Sequence, residues 1–383
     1  MTYSVYQHWD PLKVCIVGRS YPPEFYSFIK NIRVRSVMER IAVETEEDYQ
    51  KLIILLESFG VEVLRPIINE DFSVYLKDGR YLPPPMTPCD FSVMIGETFY
   101  HNWCTEVQVY QSIAADDWPK ISTVDEYNIL PDIIKQEVQS IINKHRVTIS
   151  QEYNHIFQKI SAQGNIISEQ PMSDGSGPAL LNRAMTTRVG RDLYFGTENY
   201  NDDLLEIKKK YSNFFSEYRC RVINTGGHMD STYCPVKPGL IISLRDVPTY
   251  AETFPDWEVV YLPGQSWAAV KPFLDLKEKN YGKWWVPGEE LNDEFTDFVE
   301  QWLGHWVGYV EETVFDVNML IVDPKNVIVF NYNKQVFDAL DRYGITPHVV
   351  PFRHRYFWDG GIHCVTSDLH REGGMQDYFP GKK

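Results

Sequence analysis

One device recurs along this chain and limits the folds open to it. Leu56-Glu57-Ser58-Phe59-Gly60-Val61-Glu62-Val63 and Leu340-Asp341-Arg342-Tyr343-Gly344-Ile345 both run from helix through an aromatic residue to a glycine stop and into a strand. Phe215-Ser216-Glu217-Tyr218-Arg219-Cys220-Arg221-Val222 is a looser copy. Around these junctions, β-branched and aromatic runs predict strands or hairpins at Leu12 to Val17, Phe91 to Tyr100, Arg191 to Phe195, Leu240 to Leu244 and Met319 to Phe330. Three- and four-residue apolar spacing predicts helices over Glu44 to Ser58, Asp202 to Tyr218, Asn292 to Leu303 and Lys334 to Tyr343. Hairpin, helix and strand cycle over the whole length, which fits a repeated ββαβ module in a single domain spanning residues 1–383. An ordinary α/β sheet fits the periodicity equally well.

The cycling requires a large core, and 43% hydrophobic and 14% aromatic residues in 383 supply one. A net charge of -16 argues against nucleic acid or an anionic membrane as partner and favours a small cationic molecule. No stretch reaches the roughly 18 apolar residues of a membrane span, and Met1 to Lys13 lacks an apolar signal, so the cytoplasm is expected. The six cysteines, at 15, 89, 104, 220, 234 and 364, form no Cys-x-x-Cys pair, which suggests neither a zinc site nor a disulfide framework. The proline-rich stretch Tyr81 to Pro88, Ser173 to Pro178 and the run Gly264 to Pro287 are expected to cover a pocket.

Within this frame two glycine turns carry chemistry. Gly360-Gly361-Ile362-His363-Cys364 places a thiol where glycine lets backbone approach a substrate, and Thr225-Gly226-Gly227-His228-Met229-Asp230 places an imidazole and a carboxylate in a similar setting. Taken singly, a buried thiol and a turn histidine are the commoner outcomes; the shared context favours a nucleophile and its base. In a strand neighbouring side chains face opposite ways, so His363 is poorly placed for proton transfer with Cys364 and His228 is the better base. Asp90, after Pro83-Pro84-Pro85-Met86-Thr87-Pro88-Cys89, reads alone as a turn residue. Two carboxylates, a histidine and a cysteine together suggest a guanidinium substrate, whose donors form a fork and whose carbon is electrophilic.

These segments resemble the glycine amidinotransferases and their relatives. Gly360 to Arg371 is similar to the family's nucleophile motif, Trp9 to Arg19 to its opening strand, and Asp90 to the Asp of Pro-Arg-Asp; Arg188 to Asp192, His228-x-Asp230, Pro238-Gly239 and Asn318 to Asp323 complete a likeness along nearly the whole chain. The resemblance implies a five-bladed α/β propeller, the pentein fold, and a ping-pong reaction. Cys364 would attack the guanidino carbon of arginine, ornithine would leave, and an acceptor amine would take the amidino group. It makes Cys364 the nucleophile, His228 the acid and then base, and Asp90 and Asp230 the guanidinium clamps. It implies no cofactor and no metal, and a homodimer is compatible with it. Within the family the chain is most similar to the amidinotransferases of cyanobacterial toxin pathways, that of saxitoxin biosynthesis in particular.

Three departures qualify the likeness. Asn182, in Leu181-Asn182-Arg183-Ala184, stands where the family's Phe-Asp-Ala-Ala has the Asp that supports the histidine. Either another acid supports His228 or its pKa is lower than in relatives. Thr225-Gly226-Gly227 replaces Asn-Pro-Met, which is expected to enlarge the acceptor pocket and disfavour glycine, leaving a larger, arginine-derived amino ketone as the implied acceptor. Cys89 replaces the Arg of Pro-Arg-Asp. A deiminase-type hydrolase of the same fold and a catalytically silent guanidine-binding protein are the competing readings.

Overall fold

A computed structural model describes residues 2–77, 80–102, 106–113, 118–121, 124–170, 181–197, 200–244, 250–262, 284–304, 306–307, 316–358 and 360–381. Among the described residues the strands form five three-stranded sheets and one two-stranded ribbon. Each three-stranded sheet repeats one topology: an antiparallel hairpin, then one or more helices, then a third strand parallel to the hairpin's second.

In the first sheet, β1 (Leu12–Val17) leads through α1 (Ile32–Ser58) to β2 (Glu62–Leu64). The second has β3 (Ser92–Ile95), β4 (Thr98–Asn102), α2 (Asp132–Ala162) and β5 (Ile166–Gln170). The third has β6 (Thr186–Val189), β7 (Asp192–Gly196), α3 (Leu204–Phe214) and β8 (Arg219–Ile223). The fourth has β9 (Tyr233–Lys237), β10 (Leu240–Ser243), the short α4 (Tyr250–Thr253) and β11 (Glu258–Tyr261). The fifth has β12 (Leu320–Asp323), β13 (Asn326–Val329), α5 (Lys334–Arg342) and β14 (Thr346–Val349). The C-terminal β15 (Thr366–Arg371) pairs antiparallel with β1, from Leu12 opposite Arg371 to Val17 opposite Thr366, and supplies the missing hairpin strand of the first sheet.

The junction into the third strand explains why this sequence repeats the module. Gly60 (φ 75°), Gly164 (φ 84°) and Gly344 (φ 67°) each stand two residues before that strand in a left-handed conformation that side chains resist. In the fourth sheet the same place is taken by Asp256 (φ 66°), the one non-glycine residue with positive φ among those described. Aspartate tolerates this region better than most residues. In the third sheet, α3 ends at Phe215 without a glycine, which is why that copy is looser in the sequence.

Several helix limits differ from the sequence reading. Asn31 caps α1 by accepting from Arg33 N–H, so the helix begins at Ile32, well before Glu44. The 31-residue α2 goes unnoticed in the sequence because Ile133 and Val147 are exposed and blur its buried stripe. α3 is shorter than Asp202 to Tyr218, and the predicted helix over Asn292 to Leu303 is Asp293–Phe298 followed by a wide π turn at Val299–Leu303. Apolar cores fill the space between sheets and helices; the largest joins Val34, Met38, Ile41, Tyr49, Leu52 and Leu56 of α1 to strands of the first and fifth sheets. Among the described residues no helix is long and apolar enough to cross a membrane.

Candidate active site

The segment leading into the first hairpin strand of each sheet delivers a polar residue. Asp90 ends the 3-10 turn Pro88–Asp90 before β3, and Asn182 precedes β6. Asp230 lies in the turn Met229–Ser231 before β9, Asn318 lies before β12, and His363 and Cys364 lie before β15. A repeated fold therefore gathers residues far apart in the sequence.

Asp230 is where they meet. Its Oδ2 accepts from Cys364 Sγ at 3.3 Å and lies 2.8 Å from His363 Nδ1. Its Oδ1 is buried and has no hydrogen-bond partner among the described residues. Asn318 braces the same group: Nδ2 donates to Cys364 Sγ at 3.1 Å and to the Asp230 carbonyl at 3.4 Å, while Oδ1 accepts from His363 N–H at 2.7 Å. A Cβ on Gly361 would sit 2.4 Å from Asn318 Oδ1, so glycine is needed there for this close approach. Residues 362–365 form a turn, not a strand, so the alternation that would send His363 away from Cys364 does not apply.

The electrostatics follow from burial. His363 is pushed down to about 4 by burial and by Arg183, outweighing its bond to Asp230, so it is neutral near pH 7. Burial raises Asp230, but the hydrogen bond from His363 and the charge of His228 bring it below its usual range. Asp90 is raised by burial, against the opposing charge of His228. For Cys364, a hydrogen bond with Cys89 lowers the pKa, but burial and the carboxylates of Asp230 and Asp90 prevail and raise it to about 12. The resting nucleophile candidate is a thiol held neutral by burial and by the carboxylates beside it.

Asn182 spends both ends of its amide on this region. Nδ2 donates to the Asp90 carbonyl at 2.9 Å and Oδ1 accepts from Met185 N–H at 2.9 Å. An ionised aspartate could not make the first bond, because it has no hydrogen to give. Asn182 thus fastens the turn that carries Asp90. Beneath the site, Asp368 on β15 is buried among three arginines: Arg188 at 2.8 Å, Arg183 at 3.0 Å and Arg371 at 2.5 Å. Arg183 also donates to the carbonyls of His363 at 3.2 Å and Thr366 at 2.7 Å, which fixes the backbone on both sides of Cys364.

The sequence is 22% identical to the mitochondrial glycine amidinotransferase of Xenopus tropicalis, over 98% of this chain and 84% of that protein. It is 21% identical to inosamine-phosphate amidinotransferase 1 of Streptomyces glaucescens, over 98% of both. The similarity to amidinotransferases runs over 98% of this chain. No family model matches it. Among solved structures, it shares its fold with an amidinotransferase of the saxitoxin biosynthetic pathway from Microseira wollei, with a TM-score of 0.62, 16% identity and coverage of 98% and 99% of the two chains. The inosamine-phosphate amidinotransferase of Streptomyces griseus superposes with a TM-score of 0.61, 18% identity and the same coverage. The five small sheets are therefore the pentein arrangement.

In this chain the segment Thr225-Gly226-Gly227 is partly filled rather than simply emptied. Gly226 (φ 57°) lies under the Tyr200 ring, where a Cβ would come within 2.5 Å of Tyr200 Cε2, whereas a Cβ on Gly227 would meet nothing within 4 Å. Thr225 is buried, and its hydroxyl donates to the Gly227 carbonyl at 2.6 Å, which holds the turn. His228 follows, exposed, its carbonyl accepting from Ser231 Oγ at 2.9 Å. Of the expected pocket coverings, Ser173 to Pro178 and Gly264 to Lys283 lie outside the described residues.

The sequence reading missed Asn318 as a site residue, and it missed the Asp368 cluster. Asn318 has no glycine or proline beside it in Val317-Asn318-Met319 to mark it. The arginines were visible only as Arg183, an unexpected charge in Leu181-Asn182-Arg183-Ala184, and as Arg188 and Arg371 within family-like segments.

Proposed function

We propose that this chain is an amidinotransferase that takes the amidino group from arginine and passes it to an amine larger than glycine. The observation that carries this is the buried Oδ1 of Asp230 beside the Cys364 sulfur, without a hydrogen-bond partner among the described residues. A lone carboxylate oxygen at such a position calls for a donor, and a guanidinium N–H supplies one together with the neutralising charge. Asp90 holds the other side of the fork. Once both carboxylates face a cation, the thiol loses the repulsion that kept it protonated, and its sulfur attacks the guanidino carbon as His228 takes the proton. His228 returns that proton to the departing nitrogen of ornithine. The acceptor amine then attacks the thiouronium carbon and loses a proton to His228, and Cys364 leaves as thiolate and regains that proton.

The open side of Gly227 favours an acceptor larger than glycine, and the sequence likeness implies an arginine-derived amino ketone of a saxitoxin-type pathway. We read the chain as a single-domain cytoplasmic enzyme acting on small molecules. Intact mass spectrometry tests the reaction: arginine alone should add one amidino group to Cys364 with release of ornithine, and a competent amine should remove it. Cys364→Ala should abolish both. Citrulline formed without an acceptor would overturn the transferase reading; an unmodified Cys364 would overturn the covalent one.

A further inference from the structure

Three buried side chains at this site meet the requirements of a soft metal ion. Cys89 Sγ, Cys364 Sγ and Asp230 Oδ2 all lie within 4.8 Å of one another. The carboxylate oxygen is 3.3 Å from the Cys364 sulfur and 4.0 Å from that of Cys89. A zinc ion bound tetrahedrally, about 2.3 Å from sulfur and about 2.0 Å from oxygen, places its sulfur–oxygen edges at about 3.5 Å and its sulfur–sulfur edge at about 3.8 Å. The three atoms are already close to three corners of that tetrahedron, and small side-chain adjustments complete the fit.

We propose that this chain binds a divalent cation of the zinc class through Cys89, Cys364 and Asp230, and that the ion silences the site by capping the Cys364 sulfur. The silencing rests on the reading of Cys364 as the nucleophile; the binding does not. Two thiolates and a carboxylate select zinc or cadmium over the hard cations magnesium and calcium. The ligating carboxylate is also held as metal ligands usually are, by a neighbouring group: His363 Nδ1 sits 2.8 Å from the same Oδ2, and Asn318 Nδ2 bonds the Asp230 carbonyl at 3.4 Å. The fourth position is left to solvent, and both thiol protons leave to solvent on binding.

Position 89 makes this possible. An arginine there would oppose a metal cation and remove a ligand. In this chain the buried cation stands at Arg183 instead, and its charge is directed to Asp368 at 3.0 Å. The Arg183 N–H still bonds the Cys89 carbonyl at 3.0 Å, so the cation and the thiol belong to one packed unit. Because arginine's guanidinium and the metal both require Asp230, each excludes the other.

Cadmium titration of the full chain, followed by the ultraviolet sulfur-to-metal charge-transfer band, tests the site directly. The band should saturate at one equivalent with the intensity of two thiolates, and excess arginine should displace it. Cys89→Ser and Cys364→Ser should each halve the band and weaken affinity by about tenfold or more, while Cys234→Ser, buried in the fourth sheet, should leave it unchanged. Should either serine variant fail to fold, X-ray absorption of the wild-type zinc complex gives the answer, with two sulfurs and light-atom neighbours expected. No band, a band undiminished in Cys89→Ser, or a zinc shell with fewer than two sulfurs overturns the proposal. Zinc should also slow ornithine release, less so in Cys89→Ser. The band needs no turnover, so a failure of amidino transfer to Cys364 would count against the enzymatic reading and leave the metal site standing.

Discussion

Asp230→Asn should make Cys364 more reactive toward alkylating agents while making the protein worse at its proposed reaction. The wild-type carboxylate oxygen lies 3.3 Å from the sulfur. At an effective dielectric constant of about 20, two unit charges at that separation repel by about 5 kcal/mol. That corresponds to about 3–4 pKa units. Removing the charge should therefore lower Cys364 from about 12 by up to that amount, while burial and Asp90 continue to raise it. The thiolate fraction at neutral pH then rises by about three orders of magnitude, but a less basic thiolate is a weaker nucleophile, so the net gain in rate is roughly a hundredfold. Iodoacetamide labelling of Cys364, read by peptide mass spectrometry between pH 7 and 10, measures it. Wild-type labelling should climb about tenfold per pH unit throughout, because every point lies below the pKa. The variant should start far higher and level off near the top of the range. Amidino transfer from arginine should meanwhile collapse, since half of the guanidinium clamp is gone. A labelling rate that falls, or rises less than about threefold, would show that the carboxylate is not what holds the thiol neutral.

Three other outcomes follow from buried groups. Asp368→Asn leaves Arg183, Arg188 and Arg371 without their shared counter-charge, and should cost about 3–5 kcal/mol in a denaturant titration. Although burial raises Asp368, those arginines hold it well below the usual range, so its stabilisation is full above the ordinary carboxylate pKa and is lost on acidification. Burial lifts Glu152 from 4.5 to about 8, so the folded state keeps a proton that the unfolded chain has released; stability should decline with rising pH across that window, and Glu152→Gln should flatten the decline in thermal unfolding from pH 5 to 8. Gly226→Ala meets both a φ of 57° and the Tyr200 ring at 2.5 Å, and should cost about 1–2 kcal/mol or more from backbone strain alone, part of the remainder being recovered in Gly226→Ala/Tyr200→Ala by the same unfolding assay.

What could be read from the sequence was what its neighbours mark locally. The glycine stops at Gly60 and Gly344 announce helix-to-strand junctions because a left-handed residue is written into the chain, and Asp256 hides the same junction because it performs the task without a glycine. Cys364, Asp230 and Asp90 stood out through their glycine or proline surroundings. Asn318 and Asp368 did not, because their importance lies in partners contributed by other sheets: Asn318 bonds Cys364 and His363 from 45 or more positions away, and Asp368 forms ion pairs with Arg183 and Arg188 from 185 and 180 positions away. His363 was misjudged for a related reason. Strand alternation would separate the two side chains, whereas the turn over residues 362–365 brings its ring and the neighbouring thiol to one carboxylate oxygen.

On the proposed reading, the carboxylates that would recognise the substrate also keep the Cys364 thiol protonated, which gives the site a selectivity that neither group has alone. A neutral electrophile that enters finds Cys364 as a thiol, with Asp230 and Asp90 both raising its pKa. Only a cation able to pair with both acids removes that penalty, and it does so at the carbon the sulfur must reach. Asn318 keeps the device in register: its amide donates to the sulfur while its oxygen fixes the His363 backbone, so the thiol is oriented before it is charged. A metal ion at Cys89, Cys364 and Asp230 would exploit the same logic, since it too supplies the positive charge that frees the thiolate, but it occupies the sulfur's lone pair instead of offering it a carbon. On this account arginine and zinc are alternative answers to one electrostatic arrangement, and the thiol at position 89 is what lets the chain accept the second.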